Sequence, residues 1–217
     1  MKINYQTEME QEITRLPENA RPRLLLQCCC APCSSAVLET LTKFFAVTVY
    51  FYNPNIHPQA EYEKRLAQFP KLLQAPFCET VQTLDAPYDP EAFFEAAKGL
   101  ENEPEGGARC TECFKLRLLQ TAKTAKQHDF DYFTTTLTVS PHKNAALLNE
   151  IGKALGEKYG VKFLPSDFKK KEGYKRSIVL SKDLDLYRQT DCGCIFSKTP
   201  PRAPVNACIM HNKNEKS

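Results

Sequence analysis

Five short apolar runs, each followed by a longer segment of helical periodicity, constrain this chain more than any other feature. Arg23–Cys29, Phe45–Tyr52, Thr80–Leu84, Asp131–Leu137 and Val161–Leu164 read as strands. Between and after them, Ser34–Lys43, His57–Leu73, Pro90–Lys98, Arg109–Lys126, Asn144–Tyr159 and Arg176–Arg188 read as helices. Ser34 is placed to cap the first of these, Pro90 to open another without losing a hydrogen bond, and Gly160 to end the helix before it. Strands and helices alternating at this spacing predict right-handed crossovers and a parallel, doubly wound sheet. The expected fold is therefore α/β, Rossmann-like, a single domain with a helical C-terminal cap. On such sheets ligands sit at the carboxyl ends of the strands. The segment LLLQCCCAPCSS lies at the end of the first strand, so a site is expected there.

The cysteines sharpen this. There are ten, and eight fall into three groups: Cys28, Cys29, Cys30 and Cys33; Cys110 and Cys113; Cys192 and Cys194. Only Cys78 and Cys208 stand alone, and both read as ordinary residues. The start of the chain, MKINYQTEMEQEITRL, is polar and shows no secretory leader, and the chain has no long apolar run. A cytoplasmic, reducing location is therefore expected, where clustered cysteines bind metal or do redox catalysis more often than they form structural bridges. Cys29 and Cys30 are adjacent, so Ala31-Pro32 must bend the chain if both are to reach one ligand. Cys110 and Cys113 fall on one helical face. Together these four thiolates suffice for a 4Fe–4S cubane or a tetrahedral zinc. Cys33 is the surplus thiol, and Cys28 is expected to point into the core. Cys192-Gly193-Cys194 suits either two further metal ligands or a strained, reducible disulfide whose tight ring Gly193 permits.

A net charge of +3 permits a nucleic-acid partner without demanding one. Lys169, Lys170, Lys171, Lys175 and Arg176 cluster around Tyr174 and read either as a solvated helix face or as a phosphate-contacting surface. Asn53, Asn55, Tyr62 and Arg65 follow the second strand on the ligand side, where they read either as ligand contacts or, for the two Asn and Arg65, as turn residues and a solvated helix face. Tyr62, His57 and His142 are candidate proton donors.

Several segments, in order, carry a resemblance: LLLQCCCAPCSS, YNPNIHP with EYEKR, RCTECFKLRL, YFTTTLTVSPHKN, FKKKEGYKRSIVLS and LYRQTDCGCIFS. They resemble the QueH type of epoxyqueuosine reductase, the cobalamin-independent kind. The resemblance implies a two-electron deoxygenation of epoxyqueuosine in tRNA, the last step of queuosine formation. It implies a 4Fe–4S cluster on Cys29, Cys30, Cys110 and Cys113, with a second mononuclear iron beside it for which Cys33 is the candidate ligand. It makes Cys192 and Cys194 a redox-active disulfide; given such a substrate, Tyr62 is a catalytic candidate as proton donor, and the charge cluster itself makes Lys169, Lys170, Lys171, Lys175 and Arg176 candidates for RNA contact. An external donor of ferredoxin or flavodoxin type is implied as well, and no membrane. Residues 1–20 are then an N-terminal helix or arm, 21–198 the iron–sulfur reductase domain, and 199–217 a flexible tail. Two positions depart from the pattern: Gln27 stands where a histidine is common, and Asp191 where a tyrosine is expected. Two other readings compete. One is a zinc-stabilised RNA-binding module without redox activity, which leaves the Cys192–Cys194 pair unused. The other is a thiol-redox or sulfur-transfer enzyme, against which the lack of a glycine-rich phosphate loop after the first strand counts.

Overall fold

The computed structural model describes residues 3–197, so Cys208 and the expected tail, 199–217, lie outside the described residues. The strands are β1 (Arg23–Gln27), β2 (Ala46–Tyr50), β3 (Gln82–Leu84), β4 (Tyr132–Thr135) and β5 (Lys162–Phe163). They form one parallel sheet in the order β3-β2-β1-β4-β5, the Rossmann-like α/β arrangement expected from the alternation. The helices are α1 (Tyr5–Thr14), α2 (Ala31–Leu41), α3 (Gln59–Leu66), α4 (Phe69–Leu72), α5 (Pro90–Ala97), α6 (Ala108–Gln127), α7 (Ala145–Tyr159) and α8 (Gly173–Asp183).

Helices cover both faces of the sheet, and this explains the unbroken Leu24-Leu25-Leu26 run of the central strand. Leu24 and Leu26 pack on one side with Leu38, Leu41 and Phe45; Leu25 packs on the other with Leu118, Phe133 and Leu148. No described helix is long and apolar enough to cross a membrane.

Three element boundaries differ from the sequence reading, each for a local reason. β1 stops at Gln27 and α2 starts at Ala31, because Cys30 rather than Ser34 is the cap: its sulfur accepts the Cys33 N–H at 3.4 Å. Ser34 instead lies inside the helix, its hydroxyl bonded to the Cys30 carbonyl at 2.8 Å. The helix expected over 57–73 divides into α3 and α4, since Pro70 has no N–H to continue the ladder. The last helix runs from Gly173 to Asp183. A side chain at Gly173 would meet the Phe168 carbonyl, so glycine is needed there. At the other end Asp185 turns left-handed (φ 46), with Leu186 N–H bonded to Ser181 O and Asp185 N–H to Lys182 O. That double closure ends the helix before Arg188.

The strand order reverses between β1 and β4. A crevice therefore opens between their carboxyl ends, the usual ligand position on such a sheet.

Candidate active site

Cys28–Cys30 form the turn from β1 into α2, directly in that crevice. Cys28 is fully buried in the core, where burial pushes its thiol pKa up. The Cys29 N–H bonds to Thr136 Oγ1 at 3.0 Å, and the Thr136 hydroxyl returns a bond to the Cys29 sulfur at 3.3 Å. Thr136 begins a single 3-10 turn, Thr136–Val139, at the end of β4, so the two central strands together fix this sulfur. The sulfurs of Cys29, Cys30 and Cys33 all lie within 4.8 Å of one another. Cys29 and Cys30 are 3.8 Å apart. Thiolates held tetrahedrally at about 2.3 Å from an ion stand about 3.8 Å from each other, so this edge has the spacing of a shared soft ion. Hydrogen bonds from Cys30 and Cys33 hold the Cys29 thiol well below the usual range, with Lys143 and Arg117 adding to the effect. Burial pushes Cys30 up to about 12, and the bonds to Cys29 and Cys30 raise Cys33.

Behind the trio lies a buried polar brace. Gln27 is fully buried; its amide donates to Tyr52 O at 2.9 Å and accepts from the Thr135 hydroxyl at 2.7 Å. Asn53 donates to Cys28 O at 2.8 Å and accepts from an Arg117 Nη. Gln27 and Asn53 therefore tie together the ends of three strands. Arg117 is only 3% exposed and its Nε has no partner. One Nη bonds Asn53 Oδ1, and the guanidinium lies close enough to Cys113 to lower its thiol pKa. An unpaired buried guanidinium costs several kcal/mol, so this position favours an anion beside it.

Arg117 belongs to α6, four residues beyond Cys113 and on the same face. Cys113 is buried, which pushes its thiol up to about 11 while Arg117 pulls it down. Cys110 is half-buried and accepts the Gly106 N–H at 3.2 Å. The acidic loop before α6 is anchored by buried Arg109, which donates to the carbonyls of Leu100, Glu101 and Glu103. Cys110 and Cys113 line one narrow cleft with Cys192 and Cys194. A wider cleft of about 460 Å³ beside it is lined by Cys29, Cys33 and again Cys192. Arg117, His142 and Lys143 line both. The three cysteine groups thus open onto two adjoining clefts that share a cationic wall.

The Cys192-Gly193-Cys194 loop is held by residues after β2. Asn55 Nδ2 donates to Cys192 O at 3.0 Å, and the His57 N–H to Gly193 O at 2.9 Å. Gly193 takes φ +87, and its N–H bonds Asp191 Oδ1 at 2.7 Å. Arg65, buried under the loop, pairs with Glu61 at 2.7 Å and with Asp191 at 3.5 Å. Asp191, one of the two departures from the family pattern, therefore shapes the loop. The hydrogen bond from Cys194 lowers the Cys192 thiol to about 5, and the same bond, with burial, raises Cys194. A thiolate–thiol pair is thereby set up in the loop.

The other sequence candidates are placed as follows. Asn55, His57 and Arg65 support the loop. Tyr62 lies in the core, its hydroxyl on Phe51 O at 3.4 Å and its ring against Tyr88. His142 is exposed on the rim of both clefts. In the basic segment Lys169 pairs with Asp167, Lys171 with Glu10, Lys175 with Glu172 and Arg176 with Glu39. Residues that sequence reasoning did not place in the site are Thr136, Lys143, Arg188 and Gln189, together with Arg117 as the buried cation. Arg117 carried a signal in its helical spacing from Cys113; Thr136 and Lys143 lie in YFTTTLTVSPHKN and Arg188 and Gln189 in LYRQTDCGCIFS, segments that carried the resemblance without marking these residues.

Fold and site together define a Rossmann-type α/β protein with a cysteine-lined crevice at its switch point. Residues 24–200 match the family model described as epoxyqueuosine reductase QueH. The chain belongs to that family. It is 46% identical to an epoxyqueuosine reductase QueH of Streptococcus pyogenes over 90% of its own length and 78% of that protein's. It is 46% identical to one of Staphylococcus epidermidis, over 90% and 85%. It is 37% identical to one of Thermotoga maritima, over 80% and 89%.

Proposed function

We propose that this oxidoreductase, an epoxyqueuosine reductase, performs its deoxygenation in tRNA with two sets of thiols in one crevice. In this reading Cys29, Cys30, Cys110 and Cys113 hold a 4Fe–4S cluster, and Cys33 serves a second, mononuclear iron. Cys192 and Cys194 cycle between dithiol and disulfide. The observation that carries the reading is the meeting of all three cysteine groups at clefts that share Arg117, a buried cation needing an anionic neighbour. The donor set fits a soft, anionic, thiolate-bound group: the sulfurs of Cys29 and Cys30 stand 3.8 Å apart, and the orphaned Arg117 Nε supplies balancing charge. The close trio also supports a second reading, in which Cys29, Cys30 and Cys33 hold a lone ion without Cys110 and Cys113.

Removing the epoxide oxygen to leave the alkene takes two electrons and two protons and releases water. When bound, an iron–sulfur group supplies single electrons and, at an iron with an open position, a Lewis acid for the departing oxygen. The chain supplies the rest. Cys192 and Cys194 give up two electrons as they close to the disulfide; the Cys194 thiol releases one proton and solvent supplies the second, which balances the deoxygenation. Gly193 allows the sulfurs to meet, and Asn55, His57 and Arg65 keep the loop over the cleft. An external donor of ferredoxin or flavodoxin type reopens the disulfide. The wider cleft, about 460 Å³, has the size of a site for one nucleoside.

The test is turnover of epoxyqueuosine-containing tRNA by anaerobically purified protein with a chemical reductant, read by mass spectrometry of the nucleosides. Queuosine, one oxygen lighter, is expected. A colourless, zinc-bound protein that leaves the substrate intact would instead support a zinc-stabilised RNA-binding module.

A further inference from the structure

The basic segment that draws the eye in sequence is largely neutralised in the fold. Lys169, Lys171, Lys175 and Arg176 are all in ion pairs, the last bridging α8 to Glu39 on α2. Two cations at the mouth of the wider cleft are different. Lys143 leaves the turn after β4, its N–H on Ser140 O at 3.3 Å, and Arg188 follows α8. Among the described residues neither takes part in an ion pair; Arg188 lies over the Tyr174 ring at 5.5 Å and reaches the Ser181 hydroxyl. Both are half-buried on the cleft lining, alongside Cys29 and Cys192. Lys143 also lines the narrow cleft beside Cys110 and Cys113, so it stands where the two clefts adjoin. Of the cleft's two carboxylates, Asp191 is paired with Arg65 and Glu105 is exposed on the rim.

A cleft of about 460 Å³ admits a single nucleoside and excludes a duplex. A polynucleotide substrate must therefore enter as an unpaired, splayed-out base, which leaves its flanking phosphates at the mouth. We infer that Lys143 and Arg188 form a phosphate clamp at the mouth, which grips the backbone of a single-stranded RNA loop on either side of the extruded base. Tyr174 holds the Arg188 guanidinium in place and offers a ring face to the loop. This assignment rests on the tRNA-directed activity proposed above.

The test is binding of an unmodified anticodon stem–loop RNA, followed by fluorescence anisotropy across a salt series. Neutral variants Lys143→Gln and Arg188→Gln each remove one phosphate contact. Each should lower the log–log salt slope by about 0.7 and weaken binding by about fourfold at ~0.15 M salt, from counterion release on a single strand. Arg188→Lys should restore most of the slope. Lys158→Glu, at the far end of α7, should leave it unchanged. Unaltered slopes in both neutral variants, with folded protein by circular dichroism, would overturn the clamp, as would a wild-type slope indistinguishable from zero. Binding is measured without turnover, so failure of the clamp is separable from failure of the chemistry, which appears only as inactive wild-type protein on epoxyqueuosine-containing tRNA.

Discussion

Gly193→Ala isolates the contribution of the Cys192–Cys194 loop. Gly193 has φ +87, a conformation that costs an L-residue about 1–2 kcal/mol. The new Cβ would stand 2.9 Å from Ile56 Cγ1, 3.1 Å from Ile56 Cγ2 and 3.2 Å from Arg65 Nη1. Ile56 and Arg65 are 1% and 2% exposed, so neither can yield, and overpacking of this kind costs about 1–3 kcal/mol. The combined penalty is about 2–5 kcal/mol. The loop is tied to the body by hydrogen bonds from Asn55 and His57 and by the Arg65–Asp191 pair, far fewer ties than hold the sheet, so the loop is displaced more readily than the sheet unfolds. At about 1.4 kcal/mol per tenfold, the lower bound alone lowers the ratio of native to displaced loop roughly thirtyfold. Single-turnover reduction of epoxyqueuosine in tRNA should slow, by up to about thirtyfold at that lower bound, while iron content and the thermal midpoint stay near wild type. A folded Gly193→Ala protein with the wild-type rate would refute the claim that this loop must hold its sulfurs in place.

Cys192 should be alkylated as a thiolate. Its pKa is lowered to about 5, so its iodoacetamide rate should stay on a plateau from pH 8 to about 6 and fall only near 5, whereas an ordinary thiol near 9 loses rate throughout that range. Cys194→Ser weakens the bond that lowers it and should move the inflection upward; mass spectrometry of the labelled peptide reads both. Arg117→Gln removes the buried cation and should make the bound cofactor harder to reduce, a shift visible in an anaerobic redox titration. Asn149→Ala breaks three buried hydrogen bonds, to Ala145 O, Ser166 O and Ser166 N. It should cost about 2–4 kcal/mol in urea unfolding, because the Ser166 backbone groups are left unsatisfied.

Much of the architecture could be read from the chain because it depends on local pattern. The Leu24–Leu26 run reads as a buried strand and is one covered on both faces, and Cys110, Cys113 and Arg117 share a helical face by spacing alone. Helix ends were less legible where the capping residue was atypical. A cysteine sulfur caps α2 in place of the nearby serine, and an aspartate rather than a glycine turns left-handed after α8. The basic segment misleads for a different reason: Glu10 and Glu39, which neutralise two of its charges, are far away in the chain, and a run of residues does not reveal distant partners. Lys143 and Arg188 line one cleft although they lie far apart in the chain, a juxtaposition that only the tertiary fold makes.

The central claim is that cysteines distant in sequence share one iron–sulfur group, and the iron and acid-labile sulfide bound by anaerobically purified Cys113→Ala test it most directly. The account predicts that this variant, like Cys29→Ala, loses sulfide and the broad visible absorbance together, while Cys192→Ser keeps both and loses turnover. A Cys113→Ala protein that retains the full iron and sulfide of wild type would contradict it.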